Sequence, residues 1–318
     1  MVQLIIGFIL SLSMVLVLMP KYINYLKSID YNQSVSEYSL DEYKNKAKTP
    51  TMGGVLFVLV PVIVSLIVNY KIVYDFNAMM VIFAFLAFGI IGFIDDYIIV
   101  VRKNNDGLLP KYKFGLQLLV AIIFFVIYYS NASTQILIPY TTIAIDIGIF
   151  YIFFILLMFT AESNAVNFTD GMDGLAAGVS VIALVPYIIY AFVNNELGVL
   201  LFMVCLLGAL IGYLKFNKHP ASIFMGDAGS LALGGGFAAI AMVMKVELSI
   251  LIVGGVFLWE MLCVVIQLTS VKLFHKRVFI YTPIHYAFVK KGMAETEVVK
   301  RFYIIGIICA IFGYFALI

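Results

Sequence analysis

Asn164-Ala165-Val166-Asn167-Phe168-Thr169-Asp170-Gly171-Met172-Asp173-Gly174 follows an apolar run, at about 143–161, long enough to cross a bilayer. Three other short polar segments stand in the same position beside apolar runs: Gly92-Phe93-Ile94-Asp95-Asp96-Tyr97, Phe224-Met225-Gly226-Asp227-Ala228-Gly229-Ser230 and Thr282-Pro283-Ile284-His285. A carboxylate at the centre of a membrane helix costs roughly 2.5–3.5 kcal/mol. Asp95, Asp96, Asp170, Asp173 and Asp227 left in lipid would together cost on the order of 15 kcal/mol, comparable to the net stability of a whole domain. They must face a water-filled cavity or an interface, and that makes them a site.

The rest of the chain agrees with a bilayer setting. Of its 318 residues 64% are hydrophobic and 12% charged, with a mean hydropathy of +1.07. Soluble domains are nearer 45–50% apolar and about 25% charged, so this is an integral membrane protein. Continuous apolar runs of about 17–22 residues are helical spans, not the alternating strands of a barrel. The expected fold is all-α and polytopic, with ten transmembrane helices at about 3–19, 53–69, 78–94, 114–130, 143–161, 175–193, 197–214, 229–244, 248–270 and 301–318. The first run has no basic stretch before it and no small-residue cleavage pattern after it, so it reads as a retained helix. Cys205, Cys263 and Cys309 each sit alone in an apolar run and suggest buried hydrophobes, not a zinc site or disulfides.

The connections alternate between basic and nearly uncharged. Of the 20 Lys and Arg residues, all but Lys71 and Lys245 fall on the odd-numbered connections. The positive-inside rule makes that side cytoplasmic and puts both termini outside. All four polar segments then open on the cytoplasmic side, in one cleft. The longest connections, about 20–52 and 271–300, are too short to bury a core of their own, so residues 1–318 form a single transmembrane domain. No two halves repeat, and the charges gather at one membrane face, which disfavours an ion-coupled transporter. A membrane scaffold would have no use for the aspartates.

The chemistry of the segments points one way. Adjacent residues on a helix project about 100° apart, so Asp95 and Asp96 serve different tasks. Asn167, Asp170 and Asp173 are spaced to stack on one face of a helical turn, and Gly171 and Gly174 leave room beside them. Oxygen ligands at this density suit a hard cation such as Mg²⁺. Gly226 to Ser230 opens a helix, where free N–H groups favour an anion, and Asp227 beside them is placed to carry a metal that bridges phosphates. Lys46, Lys103, Lys111 and Lys113 share the membrane face. Carboxylates, Mg²⁺ and lysines are the inventory of phosphate chemistry. His285 is the only histidine inside a motif, while His219 and His275 read as plain loop residues. Glu260 and Gln267 lie on one face of the ninth span, where polar groups are functional candidates.

Taken in order, these motifs resemble the polyprenyl-phosphate N-acetylhexosamine-1-phosphate transferase superfamily, and most closely its phospho-N-acetylmuramoyl-pentapeptide transferase branch. The resemblance runs from Lys46 with Thr49-Pro50-Thr51-Met52-Gly53-Gly54, through Gly92 to Tyr97, Gly107-Leu108 with Lys113, and Asn164 to Ala176. It continues through Asn217, Phe224 to Ser230, Thr282 to His285, and Lys291-Gly292 with Glu295, Val298, Val299, Arg301 and Phe302. It implies transfer of phospho-N-acetylmuramoyl-pentapeptide from UDP-MurNAc-pentapeptide to undecaprenyl phosphate at the bacterial plasma membrane, yielding lipid I and UMP with Mg²⁺. The alternative within the superfamily is a transferase using a UDP-N-acetylhexosamine. Asp227 would hold the metal, with Asp95 acting on the lipid phosphate, Asp96 supporting it and His285 in the catalytic set. Lys46, Thr51, Asn167, Asp170, Gly171, Asp173, Asn217, Phe224, Gly226, Ser230 and Gln267 would line the substrate pocket, Phe224 by stacking on uracil. Lys103, Lys111 and Lys113 would handle phosphates. The implied partners are the two substrates and membrane lipid, in a homodimer, with no nucleic acid.

The chain departs from the family pattern at three places. Three consecutive histidines are usual where it has His285-Tyr286-Ala287, a histidine where it has Tyr43, and a lysine where it has Ile99. All three bear on contacts to the peptide and the pyrophosphate.

Overall fold

The computed structural model describes residues 1–29, 49–102, 107–131 and 133–317. Lys46 and Lys103 lie outside the described residues. The described chain is helical nearly throughout: α1 (Val2–Ser28), α2 (Gly54–Val68), α3 (Phe76–Arg102), α4 (Pro110–Tyr129), α5 (Tyr151–Thr169), α6 (Leu175–Val193), α7 (Leu197–Asn217), α8 (Gly226–Val243), α9 (Ile250–Val253), α10 (Gly255–Phe274), α11 (Ile284–Lys290) and α12 (Glu295–Leu317). Among the described residues nine helices are long and apolar enough to cross a membrane. The second expected span, α2, has only 15 residues, about 22 Å at 1.5 Å per residue and short of a 30 Å hydrocarbon core.

Four local features differ from the expected pattern, each for a physical reason. The ninth span is broken at Gly254, which separates α9 from α10, with a second glycine, Gly255, opening α10. The fifth helix starts later than residue 143, because Ala144–Asp146 (β2) pairs antiparallel with Gln135–Leu137 (β1), in the register Ile136 to Ile145. The β-branched, alternating Thr-Thr-Ile-Ala-Ile stretch suits a strand better than a span. α3 runs on to Arg102, so Asp95 and Asp96 lie inside a helix two turns from its end. The 271–300 connection carries a short helix of its own, α11.

At the centre stands α8, rich in Gly and Ala and buried along almost its whole length. Small side chains let neighbouring backbones come close, and α8 packs against α2, α3 and α5. A side chain at Gly234 would strike α5 at Glu162 and Ser163, and one at Gly235 would strike Phe88 of α3. Nearest the site, a side chain at Gly92 of α3 would land on the Asp227 carbonyl. This close approach brings the paired aspartates of α3 against the start of α8.

Candidate active site

Asp95 and Asp96 leave α3 in different directions and meet different partners. Asp96 is buried and caps α8: its Oδ1 accepts from the Asp227 N–H at 2.9 Å and its Oδ2 from the Ala228 N–H at 3.0 Å. These are donors that a helix start leaves without an intrahelical partner, and the carboxylate also matches the positive end of the helix. Asp95 turns toward α4. Its Oδ1 accepts from the Leu108 N–H at 2.7 Å and its Oδ2 lies 3.5 Å from the Lys113 ammonium. The bare backbone of Gly107 lies against this carboxylate, with no room for a Cβ.

Asp227 joins the four helices. Its Oδ2 accepts from Lys113 Nζ, and its Oδ1 accepts from Asn167 Nδ2 at 2.7 Å. Asn167 also donates to Ser230 Oγ at 2.9 Å, which in turn donates to the Gly226 carbonyl at 3.2 Å. Gly226 takes a left-handed backbone (φ 73°), and a Cβ there would meet both the Asp96 carboxylate and Thr51 Oγ1. Asp170 follows α5 and accepts from the Gly226 backbone. Burial, and then the charges of Asp227, Asp96 and Asp173, push its carboxyl well above the usual carboxylate range. Two carboxylates, Asp95 and Asp227, therefore pair with one ammonium, and Asp96 and Asp170 lie beside Asp227. Lys113 is the one basic residue among the described residues that ion pairs tie to this cluster.

The Asp170–Gly174 turn is held from outside. Tyr286 donates to the Gly171 carbonyl at 2.8 Å and Tyr303 to the Gly174 carbonyl at 2.6 Å. The Gly174 N–H donates to Asn217 Oδ1 at 3.1 Å, while Asn217 Nδ2 donates to the Ile223 carbonyl at 3.0 Å. Asp173 Oδ2 accepts from the Ala221 N–H at 3.1 Å and lies 3.0 Å from His219 Nδ1, and its own N–H donates to Glu295 Oε1 at 2.8 Å. Ligand atoms of Asp173, His219 and Glu295 lie within 4.8 Å of one another. This imidazole-containing group suits Zn²⁺ or Cu²⁺, whereas the oxygen cluster at Asp95 and Asp227 suits Mg²⁺ or Mn²⁺.

The remaining expected residues take varied places. Half-buried Phe224 pairs its backbone with the 50–54 segment, its N–H on the Pro50 carbonyl and its carbonyl on the Gly53 N–H, both at 2.8 Å. Lys111 is exposed, with its ammonium 4.9 Å from the ring of Tyr112. Gln267 Oε1 accepts from the Val278 and Phe279 N–H groups and so orders the chain after α10. His285 is wholly buried. Its Nδ1 is 3.0 Å from Glu260 Oε1, and Glu260 Oε2 accepts from the Ile284 N–H at 2.8 Å. Its Nε2 faces Gly171, where a Cβ would strike it, so the imidazole backs the Gly171 turn from inside the protein. His219, read from sequence as a plain loop residue, is tied to Asp173. Its position two residues after Asn217 was the only signal.

The site is thus an acid-rich helix junction in a polytopic bundle. The model for Glycosyl transferase family 4 matches residues 78–245, which hold Asp95, Asp96, Lys113, Asn167 and Asp227. Signature 1 of phospho-N-acetylmuramoyl-pentapeptide-transferase matches residues 46–58. Phospho-N-acetylmuramoyl-pentapeptide-transferases of three Staphylococcus aureus strains, bovine RF122 / ET3-1, MSSA476 and JH9, are each 44% identical over 309 residues, covering 96% of both chains. The chain belongs to the phospho-N-acetylmuramoyl-pentapeptide-transferase family.

Proposed function

We propose that this protein transfers phospho-N-acetylmuramoyl-pentapeptide from UDP-MurNAc-pentapeptide to undecaprenyl phosphate, forming lipid I and UMP in the first membrane step of peptidoglycan synthesis. The observation that carries the reading is the pairing of Asp95 and Asp227 with one lysine, Asp96 and Asp170 beside them, in a chain of this family. The acceptor is a membrane lipid and the donor a soluble nucleotide. The cluster therefore opens at the cytoplasmic leaflet, with both termini outside, in a bacterial plasma-membrane protein that works as a homodimer.

The donor set fits Mg²⁺: Asp227 and Asp95 would hold it with help from Asn167, and bound there it would neutralise phosphate charge and polarise a phosphoryl oxygen. Asp96, capping α8, positions Asp227 without touching substrate. Asp95 is oriented by the Leu108 N–H toward the lipid phosphate. Asp170, Asp173, Gly171, Thr51, Asn217, Gly226 and Ser230 shape the nucleotide-sugar pocket, with Phe224 against uracil. Lys46, Lys103, Lys111 and Lys113 neutralise phosphates. Gln267 acts through the backbone it orders, and His285 through the turn it backs.

The test is UMP release by purified protein from UDP-MurNAc-pentapeptide with Mg²⁺. Release is expected only when undecaprenyl phosphate is also present. Release without the lipid phosphate, or none with both substrates, overturns the reading. Turnover of UDP-N-acetylglucosamine in place of the muramoyl donor would move the protein to the sister branch.

A further inference from the structure

The cation-binding oxygens of the site are not idle. Asp227 Oδ2 and Asp95 Oδ2 converge on a single ammonium, that of Lys113. Two carboxylates this close repel unless a cation stands between them, and here the cation is part of the chain. The rest of Asp227 is held independently of that lysine: Asn167 grips Oδ1, and Asp96 fixes the backbone beneath. Removing the ammonium would therefore leave the two carboxylates in place and unneutralised, which is a divalent-cation site.

Lys113 is also built to leave. It is the fourth residue of α4, its side chain is 18% exposed, and its charge rides on a flexible stem. An ammonium and a divalent cation cannot share the same two oxygens. We infer that Lys113 occupies the cation's place in the metal-free enzyme, and that metal binding displaces it from Asp95 and Asp227 toward the anionic phosphates of the substrate. The lysine would hold the site together without metal and serve phosphate once metal arrives. This rests on the reading of the site as a metal-assisted phosphate-transfer centre.

The test is Mn²⁺ binding to the purified protein, measured by calorimetry without substrate. Lys113→Met is expected to bind Mn²⁺ at least tenfold more tightly than wild type, about 1.4 kcal/mol, and Lys113→Arg no more tightly. Equal or weaker binding by Lys113→Met overturns the displacement. A second measurement needs no variant: acetylation of Lys113 in the wild type, read by mass spectrometry, should rise several-fold on adding Mg²⁺ while Lys111 stays unchanged. No rise at Lys113 contradicts the inference. Failure of the underlying reading looks different: Mn²⁺ would bind wild type and Asp227→Asn alike, or neither, and both readings would fall together.

Discussion

Two lysines mark the two ends of α8, about 27 Å apart for a helix of this length, and their surroundings differ in charge balance. At the far end Lys245 meets one carboxylate. Its ammonium donates to Glu247 Oε1 at 2.6 Å, the Ser133 carbonyl at 2.9 Å and Tyr151 Oη at 3.1 Å, so all three of its protons are used. Tyr151 donates to the same Glu247 oxygen at 2.5 Å, and the Lys245 ammonium lies 4.6 Å from the Tyr151 ring. That end is closed. At the near end one ammonium faces Asp95 and Asp227, with Asp96 and Asp170 beside them. An ion pair at a helix end is therefore not in itself a sign of function. Surplus charge of one sign is, because it calls for a further partner.

The comparison breaks most visibly in rate. Asp227→Asn should lower turnover by about 10³-fold or more, the scale of losing a main electrostatic stabiliser, and excess metal should not restore it. Glu247→Gln should stay within a few-fold of wild type in the same UMP-release assay. Comparable losses in both variants would erase the distinction drawn between the two ends.

Stability should divide the other way. Lys245→Met leaves Glu247 buried without its cation, which costs about 3–5 kcal/mol, so the melting temperature in detergent should fall while turnover of the folded fraction holds. An unchanged melting temperature would show that the closed pair supports nothing.

His285→Ala tests whether the Gly171 turn depends on its backing. Turnover should fall by about 10²-fold, the scale of misplacing the groups the turn carries, with Glu260→Gln moving it in the same direction by less, since Gln can still pair with the ring and accept from the Ile284 N–H. Wild-type turnover in both would make the buried pair dispensable.

The smallest effect is in pH. The Asp170 carboxyl is raised, so its native form takes up a proton that the unfolded chain releases. Its contribution to stability is full below the unfolded value of about 3.9 and is lost as pH rises through the folded value. Asp170→Asn should therefore melt higher than wild type in metal-free buffer at pH 8, with the gap closing toward pH 4. A gap independent of pH would show that Asp170 is not the titrating group.

Much of this was legible in the chain because bilayers tax polarity so heavily. Every expected span has a helix, and the aspartates stood out because no lipid-facing role could hold them. Legibility ended where pairing is long-range. Beyond His219's place two residues after Asn217, nothing local to His219 or Glu295 signals that they meet at Asp173, and Glu260 reaches His285 across 25 positions. The division of labour between Asp95 and Asp96 follows from the helical step, but which one caps α8 depends on the close approach at Gly92. The β1–β2 pairing and the break at Gly254 were hidden by apolar composition, which looks alike in a strand, a broken helix and a span.

The central claim is that the near end of α8 holds a divalent cation and the far end does not. Equilibrium binding of Mn²⁺ to wild type, Asp227→Asn and Glu247→Gln addresses it directly. The account predicts one ion per chain in wild type and in Glu247→Gln, with binding lost in Asp227→Asn. Undiminished binding in Asp227→Asn, or binding lost in Glu247→Gln while the protein stays folded, would contradict it.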